Sequence, residues 1–135
     1  MRIALVFDKI RPDTIGGYFE RACRGLGVAY DHFWTSREPE RIPTGYPLYL
    51  RIDSGDYRVD LPASLRPKLF YVTDTHLPKP WKAIRRLAAN YDRLACCHRD
   101  GAERLANAAW VPVACDPELH SPPTNAGWRS GSAAT

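Results

Sequence analysis

Short apolar runs alternate with amphipathic stretches along this chain, regularly enough to predict its elements. Arg2 to Phe7 is an apolar run of the kind a buried parallel strand shows. Val28 to Trp34, Leu48 to Ile52, Leu69 to Val72, Leu94 to Cys97 and Ala109 to Val113 repeat it. After the first run come a loop, Asp8 to Thr14, and a helix in which Ile15, Tyr18, Phe19, Ala22, Cys23 and Leu26 recur at helical spacing. Gly25 and Gly27 mark its end. A second helix near Pro80 to Asn90 carries Trp81, Ile84, Leu87, Ala88 and Tyr91 on one stripe. The polar turn His98-Arg99-Asp100-Gly101 leads to a third, with Ala102, Leu105 and Ala106 on one face. Thr35 to Tyr46, with Pro39, Pro43 and Gly45, reads as irregular, Asp53 to Asp56 as a turn, and Leu61 to Pro67 as at most one helical turn.

Repeated strand, crossover, strand units predict an α/β fold: a Rossmann-like three-layer α/β/α sandwich with a mostly parallel sheet of about six strands. That domain is expected over residues 1–120. Residues 121–135, SPPTNAGWRSGSAAT, are small and polar without periodicity, and read as a disordered tail or linker stub. With 135 residues, 44% of them hydrophobic, the chain can bury one core.

The formal charge of +4 changes little, because the arginines are scattered (Arg2, Arg24, Arg41, Arg58, Arg86, Arg104). Nucleic-acid binders cluster such charge on one helix or tail, so no nucleic-acid partner is expected. Cys23, Cys96, Cys97 and Cys115 have no metal-ligand spacing and read as buried thiols in a reducing compartment. Asp8 and Lys9 cut off the first apolar run before it resembles a secretory signal, and no run approaches the ~20 apolar residues of a membrane span. The expected location is cytoplasmic.

Polar residues gather where the strands end: Asp8, Asp53 and Asp56, Asp74 and His76, His98 to Asp100, and Asp116. In a doubly wound sheet that edge is the ligand crevice. The competing explanation is that turns are polar everywhere and that Asp caps helices. Asp74 and His76 are the candidate bases; Gly16, Gly17, Asp53, His98, Arg99, Asp100 and Asp116 are the candidate substrate contacts. Gly16-Gly17 opens the first helix, where backbone amides attract anions or sugars, or where glycine simply permits close packing. It does not complete G-x-G-x-x-G, and no lysine-bearing P-loop exists. His98-Arg99-Asp100 is similar to a kinase catalytic loop, but position 105 is Leu105 where that loop needs asparagine. Asp100 with Glu103 reads better as a helix cap. Asp74, His76, Asp116 and His120 lack metal-helix spacing, so neither a metal nor a cofactor is expected. No nucleophile elbow is present.

In order, Leu48 to Asp53, Asp74-Thr75-His76, Cys97 to Arg104, Trp110-Val111-Pro112 and Ala114 to His120 resemble the amino-terminal half of spore-maturation (CgeB-like) glycosyltransferases of the GT-B architecture. The resemblance covers about residues 1–122 and is most specific in its last two segments. It implies an acceptor-side domain facing a second, donor-binding Rossmann-like domain, with Asp116 to His120 leading into the linker. Here Ser121 to Thr135 stand where that second domain would follow. The expectation is therefore the acceptor-side half of a glycosyltransferase, inactive alone, whose partners are a sugar or nucleotide sugar and a partner domain or homodimer across the cleft face. The alternative is a stand-alone binding module without catalysis. A receiver-like phosphoacceptor ranks last: Asp8 and Asp53 suit it, but no lysine closes a late strand.

Overall fold

Residues 1–114 are described by the structure, a computed structural model, and six strands run through them. These are β1 (Arg2–Val6), β2 (Ala29–Phe33), β3 (Tyr49–Ile52), β4 (Lys68–Val72), β5 (Arg93–Cys96) and β6 (Ala108–Trp110). The helices are α1 (Ile15–Leu26), α2 (Pro78–Leu87) and α3 (Arg99–Glu103), with 3-10 turns at Pro39–Arg41 and Ala88–Asn90. Every strand pair is parallel, in the spatial order β2-β1-β3-β4-β5-β6.

The order follows from connection handedness. From β1 the chain crosses to β2 on one side, then returns to lay β3 to β6 on the other. Right-handed crossovers therefore place α1 on one face and the later helices on the opposite face. The strands alternate to match. Ile3, Leu5, Phe7 and Ile52 pack with Cys23, Ile15 and Phe19 under α1. Ala4, Val6, Tyr49, Phe70, Val72, Leu94 and Cys96 pack with Ile84, Leu87, Ala88 and Tyr91 of the α2 region. The result is an α/β, Rossmann-like fold in three layers.

Local chemistry fixes the helix ends. The Thr14 hydroxyl accepts from the Gly17 amide at 3.4 Å, starting α1. Gly27 ends it in the left-handed region at φ 70°.

Several boundaries move from the expected ones. α2 begins two residues early, because Pro78 suits the first helical turn, and its last turn tightens to 3-10 geometry at Ala88–Asn90. Residues Arg99 to Gly101, expected as a turn, are the opening of α3, so Asp100 lies in the first turn and does not cap. His98 occupies the cap position with no side-chain capping hydrogen bond, and Glu103 pairs with Arg99 at 3.2 Å. β6 stops at Trp110 and, among the described residues, pairs with β5 alone. Asp116, Cys115, the segment leading to His120 and residues 121–135 lie outside the described residues.

Candidate functional site at the carboxyl edge of the sheet

The strand order reverses between β1 and β3, and the crevice rule directs attention to the ends of those strands. Asp8 follows β1. It is buried, and its Oδ1 accepts from the Ser36 amide at 3.0 Å, tying the connection after β2 to the end of β1. Asp53 follows β3 and is also buried. Its Oδ1 accepts from the Gly55 amide at 2.8 Å, an Asx-type turn. Its Oδ2 faces the Tyr57 hydroxyl at 2.6 Å, the Thr73 amide at 3.0 Å and the Thr73 hydroxyl at 3.3 Å.

Asp74 completes the cluster from the end of β4. Its Oδ2 lies 3.1 Å from the same Tyr57 hydroxyl, and its Oδ1 lies 3.4 Å from the Thr73 hydroxyl. Each hydroxyl carries one proton and has a shorter contact to Asp53. Among the described residues, the partly exposed Asp74 carboxylate therefore has only these two side-chain donors, and it shares both with Asp53. Burial, followed by the charges of Asp53 and Asp74, pushes the Tyr57 phenol far above its ordinary range, so it stays a proton donor. Cys97 borders the cluster, donating its thiol to the Thr73 carbonyl at 3.3 Å. Burial, then Asp53 and Asp74, pushes that thiol up, so it stays protonated and is no nucleophile at neutral pH.

The loop carrying Tyr57 is anchored from below by Arg51, which is 2% exposed. Its Nη2 donates to the carbonyls of Asp56 at 3.1 Å and Val59 at 3.0 Å, which fixes the backbone on both sides of Tyr57.

His76 and His98 are exposed, and their rings meet with centroids 4.4 Å apart, joining the loops after β4 and β5. Close behind them Gly101 of α3 sits on Thr75, where an added Cβ would lie 2.5 Å from the Thr75 hydroxyl oxygen. That hydroxyl is buried without a hydrogen-bond partner among the described residues. Thus Asp53 and Asp74 share one cluster, and His76 and His98 form a second contact on the same edge. Arg99 turns instead to Glu103 and to the Trp110 ring, 5.4 Å from its centroid, and Asp100 is exposed. Gly16 has a packing reason to be glycine, since a Cβ there would lie 2.1 Å from the Phe7 ring. The Gly17 amide is taken by Thr14.

No protein-family model, curated protein or solved structure matches this chain.

Tyr57 and Thr73, which join the two carboxylates, are not legible as site residues in the one-dimensional pattern. The available signal was weak: Tyr57 follows an aspartate-rich turn, and Thr73 directly precedes Asp74. Among the described residues no group of three His, Cys, Asp or Glu side chains could hold a metal ion, and no helix is long and apolar enough to cross a membrane.

Proposed function

We propose that this chain is the acceptor-side domain of a glycosyltransferase, with Asp74 taking the proton of the acceptor hydroxyl. The observation that carries the reading is the donor deficit at Asp74: two hydroxyl protons serve four contacts, and the shorter contact of each goes to Asp53. A carboxylate left in that state accepts a hydrogen bond from a ligand hydroxyl, and a base must first be within hydrogen-bond reach of the proton it removes. His76 and His98 stand on the same edge as further hydrogen-bonding groups for a polyhydroxylated ligand. Anchoring of the Tyr57 loop by Arg51 holds the arrangement in place before ligand arrives. The resemblance to GT-B acceptor domains agrees with a site at this edge, and a facing domain would supply the nucleotide sugar.

Calorimetry and a turnover assay on the 135-residue chain test the reading. Weak binding of simple hexoses that is lost in Asp74→Asn, without turnover of nucleotide sugars, is the expected outcome. Tight nucleotide-sugar binding with turnover by the chain alone would overturn the acceptor-side assignment.

A second reading, a stand-alone binding module, draws on the exposed apolar edge at Trp110, Val111 and Val113. Light scattering separates the two, since a strictly monomeric species with no captured partner counts against the module.

A further inference from the structure

A cavity of about 500 Å³ opens beside Tyr57, between the loop after β3 and the first turns of α2. Three cations line it, Arg58, Lys79 and Arg86, with Asp56 as the one carboxylate. Arg58 uses that carboxylate completely, placing Nε 3.1 Å from one oxygen and Nη2 3.0 Å from the other. The pairing holds Asp56 ionised by pulling its carboxyl below the ordinary range and fixes the direction of the guanidinium.

Lys79 and Arg86 have no such partner. Neither makes an ion pair or hydrogen bond with another described residue, and α2 contains four cations and no acidic residue. Lys79, Ala83 and Arg86 are spaced four and three residues apart, so they stand on one face of the helix, toward the cavity. Three cations against one carboxylate leave two positive charges in excess around the cavity. Pro80 and Ala83 give it an apolar wall, and Ser54 adds a hydroxyl.

We infer that this cavity binds a phosphoryl group carried by the acceptor, next to the carboxylate cluster that receives the acceptor hydroxyl. Two unpaired cations match a phosphate dianion, and guanidinium and ammonium donors suit its oxygens. The apolar wall suits the carbon skeleton that bears the phosphate. Identification of the bearer as the acceptor rests on the glycosyltransferase reading; the charge argument for the cavity does not.

Amide chemical-shift mapping of the 15N-labelled chain, at matched ionic strength, tests the inference with three probes: glucose, glucose 6-phosphate and uridine diphosphate. Glucose 6-phosphate is expected to shift amides of residues 54–58 and 79–86 that glucose leaves in place. The variant carrying both Lys79→Gln and Arg86→Gln should bind it about tenfold more weakly, the loss expected for one or two charge-assisted contacts. Both positions are exposed on the helix surface, and an otherwise unchanged spectrum would show the variant folded. Equal responses to glucose and glucose 6-phosphate, or undiminished affinity in the double variant, would overturn the phosphoryl site. Uridine diphosphate binding the cavity more tightly than glucose 6-phosphate would keep the phosphoryl site and remove the acceptor. If glucose 6-phosphate fills the cavity while no probe shifts the amides of Thr73 to His76, the cavity stands and the Asp74 reading falls.

Discussion

Arg51 and Asp53 stand two residues apart at the end of β3, and the polar clusters around them are built on opposite principles. Around Arg51 donors and acceptors match. Its guanidinium reaches the Tyr91 hydroxyl at 2.6 Å, Asp60 at 3.2 Å and two carbonyls, and lies 4.4 Å from the Phe70 ring centroid. The Tyr91 hydroxyl passes its own proton to Asp60 at 2.7 Å, while Asn90 donates to Asp60 at 2.9 Å and accepts from Lys68 at 2.7 Å. Around Asp53 and Asp74 acceptors outnumber protons. A closed network holds a loop in place. An acceptor surplus at a strand end is an invitation to a ligand, and the first arrangement positions the second.

The largest effect is expected where the closed network is broken. Arg51→Met takes the donors from the Asp56 and Val59 carbonyls and from the buried Tyr91 hydroxyl at once and should cost about 3 kcal/mol, read by urea denaturation. Tyr57→Phe is next. It deletes the proton between two carboxylates, with an expected loss of about 1–2 kcal/mol in the same assay. Asp74→Asn should change stability by less than about 0.5 kcal/mol, since a partly exposed carboxylate short of donors holds little together. Saccharide binding, in contrast, should fall sharply in that variant. A stability loss for Asp74→Asn as large as that for Arg51→Met would erase the distinction between the clusters.

The smallest effect concerns acid. The Lys68 amide, and then Arg66, hold the Asp92 carboxyl below its ordinary range at the foot of the closed network. A depressed folded-state value means that the stabilisation is complete above the unfolded value of about 3.9 and is lost as pH falls through the folded value. Melting temperature recorded between about pH 5 and about pH 2.5 should therefore drop less in Asp92→Asn than in the parent chain.

The sheet was largely legible because buried parallel strands write themselves as apolar runs. Ile84, Leu87, Ala88 and Tyr91 were equally plain, since one helical stripe meets one sheet face. Arg51 hid inside the run Leu48 to Ile52: its partners lie 5 to 40 residues away, and no local periodicity encodes them. Tyr57 was hidden for a similar reason, joining Asp53 four residues back to Asp74 seventeen residues on. The early start of α3 was missed because Asp100 has the chemistry of a cap. The contact of Gly101 with Thr75 instead allows the helix to begin against the end of β4. That the carboxylates share an edge could be read from their positions after the strands. Which of them lacks protons depends on hydroxyl geometry.

The central claim is that Asp74, and not Asp53, is the open acceptor at this edge. Amide mapping of the 15N-labelled chain with a hexose, repeated on Asp74→Asn, tests it most directly. The account predicts shifts at residues 73–76 in the parent chain that vanish in the variant while the rest of the spectrum is unchanged. Identical shifts in both proteins, or none at this edge, would contradict it.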